Sequence, residues 1–188
     1  MSYSRRDLVA RLGAALCLGG MSHARASEPS LEVDQGIVIC SWRSDLYSHY
    51  LRFRQFHSRL TFSITADAYG EPPTPAVAQA GRYYLFSHGQ PFRNVSNPIF
   101  PEPRDERGTF QVLNGAVNYL GDWDLRTSRA QEMSSASAKV TIDHASIFYA
   151  KRAYPWLEKY QLFVSVPGRD SYALSWTQVR EPAPTMAR

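Results

Sequence analysis

Short runs of alternating apolar and polar residues recur along the chain and predict β-strands. The cleanest run, residues 60–66, sets Leu60, Phe62 and Ile64 on one side and hydroxyl side chains on the other. Residues 36–42 are almost continuously apolar, as in a strand that is buried on both faces. Further strands are predicted over residues 49–56, 81–86, 138–142, 161–166 and 172–177. About eight or nine short strands with one helix predict a mainly β fold, either a β-sandwich or an open, barrel-like antiparallel sheet.

The helix is predicted over residues 143–153 and would pack on the sheet. Asp143 has the residue type of a helix N-cap, and Pro155 ends the segment because the residue before a proline avoids helical angles. One side of the helix would carry Ala145, Phe148, Tyr149 and Arg152.

The centre of the predicted fold is a β-hairpin that turns at Asn114-Gly115. These two residue types tolerate positive φ, which both central positions of a type I′ turn require. Gly121 would let the chain bend where it leaves the strand. The predicted pairs are Val112 with Val117 and Phe110 with Tyr119 on one buried face, and Gln111 with Asn118 on the other.

Residues 36–180 are predicted to form one domain, preceded by a polar lead-in over residues 27–35 and followed by a frayed tail over residues 181–188. Within the domain, residues 89–108 form a long loop with four prolines, and loops of that length are functional or disordered. The candidate binding residues of this loop are Phe92, Arg93, Ile99 and Phe100. Alternatively, Ile99 and Phe100 plug the end of the sandwich.

The first 26 residues have the features of an export signal. Arg5-Arg6 with an apolar residue two positions on resembles a twin-arginine motif, and the apolar stretch that follows is too short for a transmembrane helix. Ala24-Arg25-Ala26 is a small-x-small cleavage pattern that would leave Ser27 as the first residue. An ordinary Sec signal is the alternative, and a lipoprotein signal at Cys17 is a weaker one. The leader predicts a periplasmic or secreted protein without a transmembrane segment.

The basic character of the chain comes from this leader. The sequence pI is about 9.2, but residues 1–26 hold four of the 21 basic residues and one of the 17 acidic residues. The remainder has 17 basic and 16 acidic residues, which is too little excess charge for a nucleic-acid partner. Cys40 is the single cysteine after the leader and lies in an apolar run, which favours a buried, inert thiol. We expect no cofactor and no metal site, since no zinc-like His/Cys spacing is present.

Asp122 and Asp124 are the candidate catalytic carboxylates. Residues two apart on a strand point the same way, so both could converge on a substrate or a cation, with His88 or His144 as a partner. The simpler interpretation is that Asp122, after Gly121, serves as a turn residue. No G-x-S-x-G elbow is present.

A second surface candidate follows the strand over residues 49–56. Its arginines and aromatic residues have the composition of a binding surface, in which Arg and Tyr are enriched. Alternatively, Tyr50 and Phe56 pack under a loop. The residues of this surface are Tyr47, Tyr50, Arg52, Arg54 and Phe56.

Three motifs in order, Gly81-Arg-Tyr-Tyr-Leu85, Gly115-Ala-Val-Asn-Tyr-Leu-Gly-Asp122 and Tyr154-Pro-Trp-Leu157, resemble small, uncharacterised bacterial envelope proteins, many of them lipoproteins. The resemblance covers residues 80–160 and implies a compact extracytoplasmic β-domain, with no catalytic residues to transfer. The expected function is therefore binding or assembly in the envelope, with an envelope protein or a small ligand as partner. The alternative is a small extracytoplasmic hydrolase that uses Asp122 and Asp124 with a histidine.

Overall fold

The computed structural model describes residues 27–43, 50–65, 74–89, 99–125 and 139–182. The predicted leader over residues 1–26, the loop residues Phe92 and Arg93, and most of the predicted tail lie outside the described residues.

The described chain is mainly β and forms two sheets with one α-helix. The mixed sheet has the strand order β10-β9-β7-β1-β4, with β8 paired to β7, and the antiparallel sheet has the order β3-β2-β5-β6. The strands are β1 (Gln35–Arg43), β2 (Tyr50–Gln55), β3 (Thr61–Thr65), β4 (Ala76–Gln79), β5 (Gly81–Gly89), β6 (Phe110–Val112), β7 (Ala116–Asp124), β8 (Lys139–Thr141), β9 (Gln161–Val164) and β10 (Tyr172–Leu174). The helix α1 is His144–Ala153, and short 3-10 turns cover Glu106–Gly108, Pro155–Lys159 and Trp176–Gln178.

Two hydrophobic cores lie on opposite faces of the mixed sheet. The inter-sheet core fills the space between the two sheets and includes Val38, Cys40, Leu51, Phe53, Leu120 and Trp123. The helix-side core lies between the mixed sheet and α1 with the C-terminal segments, and it includes Ile37, Ile39, Val117, Tyr119, Ile147 and Leu157. Successive residues of β1 alternate between these cores, which confirms a strand buried on both faces. The sandwich with one packed helix is therefore correct as a fold class.

The predicted hairpin at Asn114-Gly115 is wrong. The strands on either side of this turn belong to different sheets: β6 pairs with β5, and β7 pairs with β1 and β9. Gly115 has φ +62°, but Asn114 is not among the described residues with positive φ, so the turn is not type I′. The turn is a corner that carries the chain from the antiparallel sheet to the mixed sheet.

The consequence of this corner is that the predicted pairs are separated. Val112 lies in the inter-sheet core, whereas Val117 lies in the helix-side core. Asn118, expected on the less buried face, has an exposed fraction of 0%. Its side chain holds the corner: Nδ2 lies 3.0 Å from the Leu113 carbonyl and 3.2 Å from the Ile37 carbonyl, and Oδ1 accepts from the Leu113 N–H at 2.9 Å.

The other local predictions are mixed in outcome. The hairpins β2–β3 and β9–β10 are confirmed, as is the N-cap of α1, where Asp143 Oδ1 accepts from the Ala145 N–H at 2.9 Å. The predicted apolar side of α1 is wrong, because Ile147 and Ala150 are the buried positions and Tyr149 is 49% exposed. Strand β4 was not predicted, because its sequence Ala-Val-Ala-Gln carries little strand propensity of its own. It forms by pairing with β1.

Candidate functional site

A bulge in β7 places Asp122 on the helix side of the mixed sheet. Ile39 lies opposite Tyr119 and Ser41 lies opposite Asp122, so β7 has one residue more than β1 between these pairs. Gly121 provides this bulge with φ +87°, and a Cβ there would lie 2.4 Å from Val140 Cγ1. Gly121 is thus required at this position, and its bulge brings Tyr119 and Asp122 to the same face.

Asp122 is the centre of a hydroxyl network under the first turn of α1. Ser41 Oγ donates a hydrogen bond to Asp122 Oδ1, and Ser41 Oγ lies 3.1 Å from Ser146 Oγ. The hydroxyls of Ser146 and Tyr119 also hydrogen bond to the Asp122 carboxylate. Tyr119 OH further accepts from the Asp143 N–H at 3.1 Å. The network therefore joins β1, β7 and the N-terminus of α1.

Burial controls the electrostatics of this network. It raises the pKa of Asp122, and the hydrogen bonds from Ser41, Ser146 and Tyr119 oppose that rise. Burial and the neighbouring Asp122 carboxylate raise the pKa of Tyr119 far above its usual value, so the phenol stays neutral and can donate. The hydrogen bonds to the Asp122 carboxylate therefore offset only part of the cost of burying its charge, and the net result is a raised pKa.

The structure does not bring a histidine to Asp122. His144 is the exposed first residue of α1, and no hydrogen bond joins it to Asp122 within the described chain. His88 lies in the antiparallel sheet, where it is buried and stacks on Phe100 with ring centroids 5.7 Å apart. Burial lowers the pKa of His88, which favours the neutral imidazole. His88 is therefore a buried residue of the antiparallel sheet.

Asp124, the other candidate carboxylate, lies two residues after Asp122 on β7 and opposite Arg43 of β1. Strand alternation places Asp122 and Asp124 on one face, as predicted. Among the residues that the structure describes, no group of three or more His, Cys, Asp or Glu side chains could hold a metal ion. Cys40 is buried in the inter-sheet core, and burial raises the pKa of its thiol, as expected of an inert cysteine.

The chemistry available at Asp122 is hydrogen bonding that fastens the helix to the sheet. A serine nucleophile needs a base that accepts its proton and is itself oriented by a third group. Here Ser41, Ser146 and Tyr119 all hydrogen bond to the Asp122 carboxylate, which is their shared partner. Sequence reasoning missed Ser41, Ser146 and Tyr119 as partners because they lie far apart in the chain and only the bulge at Gly121 brings them together.

The loop predicted for binding divides between core and surface. Ile99 forms an isolated β-bridge with Ser87 and is 68% exposed, whereas the next residue, Phe100, is 2% exposed and belongs to the inter-sheet core. Strand-like alternation explains this difference between neighbours. Phe100 is therefore a plug of the sandwich and not a binding residue, and Ile99 remains a candidate.

The second surface candidate lies on the outer side of the antiparallel sheet, which we call the arginine face and define by Arg52, Arg54, Phe86 and Ile99. Arg52 lies opposite Ser87, and Ser87 lies opposite Ile99, so these side chains share the outer side. The Arg54 guanidinium carbon lies 3.5 Å from the centroid of the Phe86 ring. Tyr50 is buried, so this predicted residue is not available, and Tyr47 lies outside the described residues.

The rest of the described loop is attached to this sheet by ion pairs. Glu102 Oε1 accepts from the His57 N–H at 2.6 Å and lies 3.3 Å from His57 Nδ1. Glu106 pairs with Arg82 at 3.1 Å. These contacts attach residues 102–106 to the edge of the antiparallel sheet where β2 ends and β5 begins.

Comparisons with family models, with curated proteins and with solved structures return no match for this chain. The resemblance to envelope proteins thus stays a prediction based on the sequence motifs. None of the helices that the structure describes has the length and apolar composition needed to cross a membrane.

Proposed function

We propose that this protein is an exported, non-enzymatic β-domain of the bacterial envelope that acts by binding a partner. The observation that carries the proposal is the use of the candidate catalytic carboxylate. Asp122 accepts hydrogen bonds from Ser41, Ser146 and Tyr119, and these bonds hold α1 on the mixed sheet. A residue committed to such a network has a structural use that explains its burial and raised pKa without catalysis.

The proposal of export is supported by the leader motif and by the residues that follow it. Lys159 Nζ donates to Glu28 Oε2, and Tyr160 OH donates to Glu28 Oε1 at 3.0 Å. Leu31 packs against the helix-side core. Glu28 and Leu31, which follow the predicted cleavage position at Ser27, are therefore attached to the folded domain. A chain with no disulfide requirement can fold before export by the twin-arginine route.

The contact region that we propose is the loop over residues 89–108, which contains the exposed Ile99. Loops that extend from a rigid scaffold commonly carry recognition. Aromatic and arginine side chains are among the types that dominate binding energies at interfaces, and the loop sequence contains Phe92 and Arg93 beside the exposed Ile99.

The test is capture of a partner from envelope extracts with the immobilised mature chain. We expect wild type and the double variant Asp122→Asn/Asp124→Asn to retain the same protein, and the double variant Phe92→Ala/Arg93→Ala to lose it while melting at the wild-type temperature. If Phe92→Ala/Arg93→Ala instead melts the domain, the loop is structural. A hydrolytic activity that disappears in a folded Asp122→Asn/Asp124→Asn variant would make the protein a hydrolase and overturn the proposal.

A further inference from the structure

Two arginines with no carboxylate partner in the described chain lie side by side on the outer side of the antiparallel sheet. Arg52 and Arg54 are two residues apart on β2, so their side chains lie on the same face with a spacing of roughly 7 Å. Arg52 is exposed; its Nε lies 3.4 Å from Ser63 Oγ, and its guanidinium carbon lies 5.4 Å from the centroid of the Tyr50 ring. The residues opposite them in the neighbouring strands are neutral: Ser63, Ser87, Thr61 and Tyr84.

Arg54 is held in place by neutral groups. Its guanidinium stacks on the Phe86 ring at 3.5 Å and hydrogen bonds to the buried Tyr84 side chain. The bulge in β5 makes this possible, since Arg52 lies opposite Ser87 and Phe53 lies opposite Leu85, which leaves Phe86 as the extra residue. The Nε atom of Arg54 is buried and has no hydrogen-bond partner in the described chain. A buried, unpaired guanidinium nitrogen is costly, because the group has lost water without gaining an acceptor.

The other charged groups around this sheet contrast with the arginine pair. Arg82 is paired with Glu106, and His57 is paired with Glu102. Arg54 lies opposite Tyr84, two residues along β5 from Arg82, so the Arg82–Glu106 ion pair is a close neighbour of the arginine pair. Arg52 and Arg54 themselves have no ion-pair partner among the described residues. The exposed Ile99 lies beside them across Ser87 and adds apolar surface.

We propose that the arginine face binds an extended acidic segment of a partner protein that carries carboxylates at alternate residues. This inference rests on the proposed binding function and names the chemistry of the partner. Alternate residues of an extended peptide are about 7 Å apart along the backbone, which matches the backbone spacing of Arg52 and Arg54. A planar guanidinium can donate two parallel hydrogen bonds to one carboxylate. The guanidinium of Arg54 is already oriented by its stacking on Phe86.

Fluorescence polarisation of a labelled peptide tests the proposal with the folded, mature protein. The probe alternates Glu with Thr, and the comparison peptides replace Glu by Gln or place the same number of Glu residues consecutively. The variants are Arg52→Gln, which changes an exposed side chain, and Arg54→Lys, which keeps the charge and removes the planar fork. Arg169→Gln, in the exposed turn between β9 and β10, is the matched control for loss of one positive charge.

We expect the alternating probe to bind more tightly than both comparison peptides, and Arg52→Gln and Arg54→Lys each to weaken it by about tenfold or more. Arg169→Gln is expected to change the affinity by less than about twofold, and added salt to weaken binding. Equal affinity for the consecutive-Glu peptide, or an equal loss in Arg169→Gln, would reduce the effect to general charge and overturn the proposal. Binding to phosphatidylglycerol vesicles but not to the peptide would also overturn the proposal.

Two further outcomes separate this proposal from the proposed function. Asp45 precedes Arg52 in the sequence and lies outside the described residues. If the probe binds Asp45→Asn but not wild type, the chain already neutralises its own arginines, and the proposed site is wrong. If the probe fails to bind while wild type and Arg52→Gln capture the same envelope protein, the binding function stands and this surface is not its site. If capture fails as well, both proposals fall.

Discussion

Replacing Asn118 by alanine should destabilise the domain more than any other single truncation of a polar side chain in the corner between the two sheets. Asn118 is fully buried, and its amide bonds both the N–H and the carbonyl of Leu113 and reaches the Ile37 carbonyl. Each lost hydrogen bond costs about 1 kcal/mol, so the loss of these three bonds costs about 3 kcal/mol. We therefore expect Asn118→Ala to lower the free energy of unfolding by about 3 kcal/mol and the melting temperature by about 10 °C.

Urea denaturation followed by tryptophan fluorescence measures this change, since Trp123 lies in the inter-sheet core. Asn114→Ala is the matched control, because the exposed Asn114 side chain makes a single bond at 3.2 Å to the Val33 carbonyl, and we expect a loss below about 1 kcal/mol. In Asn118→Asp, a carboxylate oxygen would face the Leu113 and Ile37 carbonyls, which raises the pKa of the new carboxyl, so this variant should lose stability as the pH rises. An Asn118→Ala variant within about 0.5 kcal/mol of wild type would refute the reasoning about the corner.

Three other predictions follow from the bulge, the corner and the leader. Burial raises the pKa of Asp122, so the folded state keeps its proton to a higher pH than the unfolded state does. The stability of wild type relative to Asp122→Asn, measured by urea denaturation, should therefore fall as the pH rises above the ordinary pKa of an aspartate, and a constant difference would contradict the raised pKa. Gly121→Ala should cost about 3 kcal/mol, because a Cβ there meets Val140 and Val166, whereas Gly115→Ala, at φ +62° with open space around it, should cost about 1 kcal/mol; equal midpoints in the same assay would reject the bulge geometry. Intact mass of the exported protein should correspond to a chain that begins at Ser27, and a species that retains earlier residues would reject the cleavage position.

Local signals in the sequence were sufficient for most of the strands and for the helix. The N-cap Asp143 and Pro155 fix the ends of α1, and alternation identifies β2 and β3. These features depend on residues close in sequence, so composition and spacing contain them. The two-faced burial of β1 was also readable, because a continuous apolar run has no polar side to expose.

The arrangement of the strands was not readable from local signals. An Asn-Gly pair between two apolar runs is typical of a hairpin, but here Asn118 bonds the preceding turn and the Ile37 carbonyl, and β7 pairs with β1 instead of β6. The one available clue was a polar amide inside the apolar run Ala116–Leu120, since a buried amide must have partners. The network around Asp122 was hidden for the same reason, because Ser41 and Ser146 reach it from distant parts of the chain.

The central claim is that the protein binds a partner through the side of the molecule formed by the antiparallel sheet, and photocrosslinking in living cells tests it most directly. A photoreactive phenylalanine analogue would replace the exposed Ser63, which lies opposite Arg52, or Ile99 on the arginine face, or Tyr149 on the exposed side of α1 as the control. We predict that the Ser63 and Ile99 positions crosslink to the same envelope protein and that the Tyr149 position does not. Crosslinking from Tyr149 alone, or from none of the three positions in correctly exported protein, would contradict the claim.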